Sequence, residues 1–427
     1  MLLLTQSKRF QCFAIWGMSL FFRIFFGLAR PISDDVYRLY SQALDWYVDG
    51  KLSPVGAPVV YTGTWIPGSL HPILLGSSLW ISQGYLWGAT LVLAVLTQAA
   101  LFLIYHSYSS RFPNWPKVPL AILIAYNPWT FPSLEVWNPS YALLFSTLFF
   151  AAWIHPKFKI HRDFWVGFTL LCSFQLHLSY VVLVASAFFA YFIFKSRPQL
   201  LKLLAGAGVG SLTLIPWIIE FIKGTVSSPF QNNIVFRPDG WPEIFKGLGR
   251  FLSYPSADLF RFIGGAQGYL GAFRDSTAYW WPFLLVAMVV SIALIFYQIR
   301  GWLLSLKAKD TELKPFFQWL ILVPLFTMFL FIFSVKGASA HTFWIILPWA
   351  FFPIGFMLSQ KPGLSKLTAH NVIFGLILMV RVLQVSSGPW FIQYELQHSS
   401  KTQSSSLNIP ERELRLYDRL GQPSLTR

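Results

Sequence analysis

Charge is scarce in this 427-residue chain, with 12% of residues charged against roughly 25% in an ordinary soluble domain. That deficit excludes a soluble enzyme. Acids are scarcer still, 17 Asp and Glu against 33 Lys and Arg. The cysteines, Cys12 and Cys172, both lie inside apolar runs, which excludes a disulfide framework and a cysteine-based zinc site. No proline-free Asn-x-Ser/Thr acceptor occurs, Asn138-Pro139-Ser140 being blocked by its proline. Internal repeats are lacking too, and with them the inverted-repeat pattern of transporters.

Apolar residues make up 55% of the chain and aromatics 18%. A helix crossing hydrocarbon needs about 20 mostly apolar residues, and such runs recur from Phe10 to Leu383. The expected fold is an all-α polytopic integral membrane protein with about eleven transmembrane helices. Their expected extents are 10–29, 84–107, 118–133, 140–155, 164–177, 179–194, 203–222, 280–299, 316–334, 342–358 and 368–386. The first is expected as an uncleaved anchor, because its long core carries bulky Phe and Trp. The boundary at Gln175-Leu176-His177-Leu178 is the shallowest, since apolarity barely dips there.

A net charge of +16 would suggest nucleic acid in a soluble chain. Here the basic residues cluster between apolar runs, at Lys8-Arg9, Arg111 with Lys117, Lys157 to Arg162, Lys195 to Lys202, Arg300 to Lys314 and Lys361-Lys366. That is the positive-inside bias of membrane loops, so membrane lipids and no nucleic acid are the expected partners. With these clusters inside, the N-terminus is inside and the C-terminus outside. Only Asp163, Asp310 and Glu312 then fall in inside loops, and the outer face alone has enough carboxylates for chemistry. Residues 1–386 form the expected transmembrane module, with long outer segments at 31–83 and 223–279, and 387–427 form an outer tail with a short amphipathic helix.

In the first outer segment, Ser33-Asp34-Asp35 reads as a helix start, with Ser33 as N-cap and two acids in the first turn, where the helix dipole favours them. The helix is expected to reach Asp49, with Val36, Tyr40, Ala43 and Tyr47 on one face, lying apolar side down in the membrane interface. Gly50, Pro54, Gly56 and Pro58 predict an irregular stretch, and Trp65 to Pro72 opens a second interfacial helix that returns the chain to the span near Gly84.

Five features occur in order: an arginine late in the first span (Arg23), an acidic pair after it (Asp34-Asp35) with tyrosines close behind, a Gly-Lys-Leu turn, Pro67-Gly68 to Pro72, and the outer turns Glu135-Val136-Trp137-Asn138-Pro139-Ser140 and Gln175-Leu176-His177-Leu178-Ser179. Together they resemble the GT-C superfamily of polyprenyl-phosphate-sugar-dependent glycosyltransferases, in particular bacterial members of the protein O-mannosyltransferase and aminoarabinose-transferase-like branch. The resemblance covers roughly residues 1–220. It departs from the family in having Asp-Asp where the pair is usually Asp-Glu. It also shows no globular outer domain after the last expected span, so acceptor recognition is not carried over.

The resemblance implies a GT-C-like bundle that moves a sugar from a polyprenyl-phosphate donor to a glycan, lipid or protein acceptor, on the periplasmic side of a bacterial inner membrane. It places the catalytic base at Asp34, with Asp35 second. The chemistry is consistent with this on its own terms. A sugar on a polyprenyl phosphate has a stable anionic leaving group, so transfer needs chiefly one carboxylate as base and cations for the phosphate. Against this, both acids read equally as helix-start residues. Donor phosphate contacts are expected from Arg23, Arg237 and Arg261, since the guanidinium fork suits phosphate. Arg23, deep in its span, is expected to pair with an acid or phosphate or to snorkel outward. Tyr37, His71, Glu135, Asn138 and His177 are expected around the substrate or behind it. No cofactor is assigned, and a divalent metal on Asp35, Glu135 and His177 stays open beside simple structural roles for each. The competing functions are a transporter or flippase of a lipid-linked sugar and a non-catalytic GT-C-like scaffold.

Overall fold

Lipid offers backbone groups no hydrogen-bond partner, so segments within it close their bonds internally as helices. The computed structural model describes residues 2–29, 34–59, 63–127, 130, 136–228, 236, 240–254, 281–307, 313–334 and 340–359. The expected span at 368–386, the tail, Ser33, Glu135, Arg237 and Arg261 lie outside the described residues. Asp34, Asp35 and Tyr37 are described in backbone only.

The helices are α1 (Leu2–Ala29), α2 (Asp34–Asp49), α3 (Leu70–Leu79), α4 (Leu86–Arg111), α5 (Lys117–Ala125), α6 (Asn138–Ile154), α7 (Arg162–Phe174), α8 (Tyr180–Ile193), α9 (Leu200–Ser211), α10 (Ile215–Ile222), α11 (Trp241–Ser253), α12 (Trp281–Leu306) and α13 (Leu313–Leu330). After them, 3-10 and α turns from Ala340 to Ala350 lead into α14 (Phe352–Ser359). Every expected span within the described residues contains a helix, though α5 covers only the first part of 118–133, and the shallow boundary is a real break, with α7 ending at Phe174 and α8 starting at Tyr180.

Two expectations need correction. The stretch after Gly50 is not irregular: β1 (Val55–Val59) and β2 (Thr64–Pro67) pair antiparallel as a hairpin, with a register shift between Val55 and Pro58. Gly56 and Pro58 hide the strand in sequence, because both are depleted from strand interiors. Helix lengths are also shorter than the apolar runs. Only Leu86–Arg111, Leu200–Ile222 and Leu313–Phe333 are, among the described residues, long and apolar enough to cross a membrane by length and composition. Helix α7 has 13 residues, about 20 Å at 1.5 Å per residue, against a hydrocarbon core of about 30 Å. The runs look longer than the helices because their turns, such as Leu176, are also apolar and buried.

The basic loops gather at one end of the bundle. The Arg111 guanidinium lies 4.8 Å over the Phe316 ring, which is 4.8 Å from Phe194, and Arg162 lies 4.6 Å over Trp153. Asp163, one of the few expected inner acids, ties this end together. It accepts from Arg162 Nε at 2.9 Å, Tyr191 Oη at 2.6 Å and the Gln199 amide at 2.9 Å, joining α7 to the end of α8 and the start of α9. The segment between α1 and α4, expected as the first outer one, caps the opposite end, where α4 and α6 begin and α7 stops.

Helices α7 and α9 meet through glycine, which lets backbones in lipid approach closely. A Cβ on Gly206 would lie 1.9 Å from the Phe164 carbonyl oxygen, and one on Gly167 would lie 2.1 Å from that of Leu203. Gly210, one turn beyond Gly206, faces the Phe168 carbonyl in the same way, whereas Gly208 faces open space. Gly206→Val should therefore lower the melting temperature of the purified protein, through overpacking worth about 1–3 kcal/mol or more. Gly208→Val has the same helix propensity without the clash and should shift it little. Equal shifts for the two variants would show that the seam does not hold α7 to α9.

Candidate functional site

Helix α2 begins at Asp34 and ends at Asp49 as the sequence predicts. Its expected apolar face is covered by protein instead of by lipid headgroups. Val36, Leu39, Tyr40 and Ala43 are buried with Leu75 and Leu79 of α3, Leu93 of α4, Tyr141 and Phe145 of α6, and Cys172 and Leu176 at the end of α7. The Tyr40 hydroxyl donates to the Gly84 carbonyl, and the Gln42 amide donates to that of Gly56 at 3.3 Å, fastening α2 to the start of α4 and to the hairpin.

The separate motifs converge beneath this helix. Gly68 follows β2 with φ of +91°, a region that favours glycine. A Cβ there would lie 2.3 Å from Gln175 Oε1. Gln175 is fully buried and uses both ends of its amide, with Nε2 donating to the Gly210 carbonyl at 2.8 Å and Oε1 accepting from Thr213 Oγ1 at 2.6 Å. Thr213 in turn accepts the Ser69 amide on its carbonyl at 2.8 Å. One residue on, the Leu176 carbonyl accepts from Asn138 Nδ2 at 2.7 Å, which attaches the start of α6. The Pro-Gly, Asn-Pro-Ser and Gln-Leu-His motifs, scattered along the sequence, form one knot.

His71 and His177 occupy different positions around it. His71 is buried with its ring edge-on to Tyr141 at 5.4 Å, and neither ring nitrogen has a hydrogen-bond partner among the described residues. Burial pushes its pKa down to about 3, so the ring is neutral at physiological pH. His177 is half-buried; its Nδ1 accepts the Ser179 amide at 3.1 Å and lies 2.8 Å from Ser179 Oγ. With Nδ1 an acceptor, the neutral ring carries its proton on Nε2. Among the described residues no three His, Cys, Asp or Glu side chains gather as a metal set. Two members of the expected set, Asp35 and Glu135, are outside those whose side chains are described.

Arg23 is wholly buried, which rules out snorkelling. Its Nε donates to Gln98 Oε1 at 2.8 Å, one terminal nitrogen donates to the Thr130 carbonyl and hydroxyl at 3.0 and 2.8 Å, and the other donates to the Ala125 carbonyl at 2.6 Å. Ala125 is the last residue of α5, so the cation sits on the negative end of that helix and satisfies carbonyls the helix leaves open. Ser19 adds a second bond to the Ala125 carbonyl at 2.7 Å. The guanidinium thus ties Thr130 to the end of α5.

Sequence reasoning did not give Gln175, Gln98, Thr213 or Tyr141 a role in the site. The usable signal was the isolated amide in an apolar run, since buried polar groups in lipid are costly and therefore partnered. The knot generates a test. Gly68→Ala should lower thermal stability, and much less so in a Gln175→Ala background, where the obstructing side chain is gone. Residues in contact couple by about 0.5–3 kcal/mol in such cycles. Additive losses would mean that the two residues do not meet.

No family model matches the chain, and no curated protein matches it by sequence. One solved structure is similar: the crystal structure of ArnT from Cupriavidus metallidurans bound to undecaprenyl phosphate, at 10% identity and a TM-score of 0.52 over 93% of this chain and 80% of that one. At that identity the likeness concerns the fold alone, and this chain accordingly has the fold of a polytopic helical membrane bundle like that structure's, as expected from the sequence.

Proposed function

We propose that the protein transfers a sugar from a polyprenyl-phosphate donor to a hydroxyl or amine acceptor at the outer face of the membrane, with Asp34 as general base and Asp35 beside it. The observation that carries this reading is the knot itself. Val36, one helical step from the acidic pair, packs in the same cluster as Tyr141 and Leu176, so the start of α2 is held against the motif segments that resemble the GT-C family. The fold shared with an ArnT bound to undecaprenyl phosphate supports a polyprenyl-phosphate partner.

In this reading Asp34 takes the proton of the acceptor as the acceptor's oxygen or nitrogen bonds to the sugar's anomeric carbon. The bond from that carbon to the phosphate oxygen breaks, and the lipid phosphate leaves as an anion that needs no acid. Arg237 and Arg261 are assigned to the phosphate. Arg23 acts as a positioning residue, because its donors are turned to protein oxygens at the end of α5. Asn138, His177, His71, Tyr37 and Glu135 are assigned to the surroundings of the sugar or to the shell behind it. The positive-inside bias supports an outer location, since the knot lies at the end of the bundle away from the basic loops.

A general base contributes roughly 10²–10⁴-fold. Asp34→Asn should therefore cut transfer by about that factor in vesicles carrying donor and acceptor, with donor binding little changed. Asp35→Asn should cost less. If both acids only stabilise the start of α2, both variants will keep near-normal turnover after a loss of about 0.3–1 kcal/mol. Near-normal turnover in both would refute the assignment. Donor translocation without any glycosyl transfer by the wild-type protein would favour a transporter.

A further inference from the structure

A recess lies at the basic end, opposite the knot. It has a volume of about 800 Å³ and is formed where α8 ends, against the first turns of α13. Its lining combines the polar Lys195, Ser196, Arg197 and Gln318 with the apolar Phe192 and Leu322. The apolar part continues onto the outside of the bundle, where Phe192 is 76% and Leu322 38% exposed. The polar part is fixed by backbone geometry. Lys195 takes a left-handed conformation with φ of 47°, its amide bonds the Phe192 carbonyl at 3.2 Å, and the Ser196 amide bonds that of Tyr191 at 3.0 Å, closing α8. Within this fixed turn the Ser196 hydroxyl is buried and has no hydrogen-bond partner among the described residues.

We propose that this recess binds the headgroup of an anionic diacyl phospholipid. The two cations and the hydroxyl suit a phosphate, and the exposed Phe192 and Leu322 suit acyl chains alongside it. A free phosphate ion would leave those two side chains and most of the volume unused. The basic end faces the cytoplasm by the positive-inside bias, and a cytoplasmic leaflet containing anionic lipid attracts basic segments. The inference shares this orientation with the proposed transfer reaction and is otherwise independent of it.

Native mass spectrometry of the delipidated full chain, titrated with dioleoylphosphatidylglycerol or dioleoylphosphatidylcholine, tests it. One basic residue near a lipid surface is worth about fivefold in affinity, so Lys195→Gln with Arg197→Gln should weaken phosphatidylglycerol binding about 25-fold. Phosphatidylcholine binding should stay as it was. Undecaprenyl phosphate should bind the wild type and the double variant alike, because its proposed site is at the other end. Equal phosphatidylglycerol binding in wild type and variant, or displacement of the lipid by inorganic phosphate, would overturn the proposal, as would loss of undecaprenyl phosphate binding in the variant. Should the variant fail to fold, photo-cross-linking of a diazirine phosphatidylglycerol to the wild type decides. Adducts are expected within 191–197 and 318–322, and adducts confined to other segments would refute the site. Failure of these outcomes would leave the effect of Asp34 on transfer untouched.

Discussion

The position of the first outer segment depends on one buried amide, that of Gln175. In apolar surroundings an unsatisfied amide is costly, so the bond from its nitrogen to Gly210 and the bond to its oxygen from Thr213 fix the end of α7 against the chain between α9 and α10. Gly68 can then approach only because it lacks a side chain. The Ser69 amide closes the arrangement on Thr213. The buried α3, which starts at the next residue, and the α2 packed on it inherit their places from these contacts.

Arg23 applies the same constraint to a charge. A lone cation in the middle of a span is unfavourable, and here the cost is offset by the open carbonyls at the end of α5 and by the Gln98 side chain. The two groups need each other, since a helix end buried without partners would be as unfavourable as the unpaired cation. Gln98 also donates to the Trp16 carbonyl at 2.9 Å, so α1, α4 and α5 are tied together through these two polar side chains.

Much of this was legible in the sequence. The face made by Val36, Tyr40 and Ala43 read correctly as apolar, and the extent of α2 followed from an acid-rich start and Gly50. The break at Gln175 was the shallowest in the sequence, because apolarity barely dips there, and it was legible only from the spacing of the basic clusters on either side. What covers the α2 face was not, because periodicity reports that a face is apolar and not whether lipid or protein lies against it. The hairpin was masked by Gly56 and Pro58. The glycines of α9 read as ordinary span residues, since only the crossing with α7 distinguishes Gly206 from Gly208. The partners of Arg23 depend on where α5 stops, at Ala125, well short of the end of its apolar run.

The central claim is that the knot beneath α2 is the place where a polyprenyl-phosphate sugar is held. The most direct measurement is photo-cross-linking of the purified chain with a polyprenyl phosphate carrying a diazirine next to the phosphate, and then sequencing of the labelled peptides. The account predicts adducts on the segments that carry Arg237 and Arg261, on the start of α2 and on the segments around Gly68 and His177. Adducts restricted to the basic end, around Lys195 and Gln318, would contradict it.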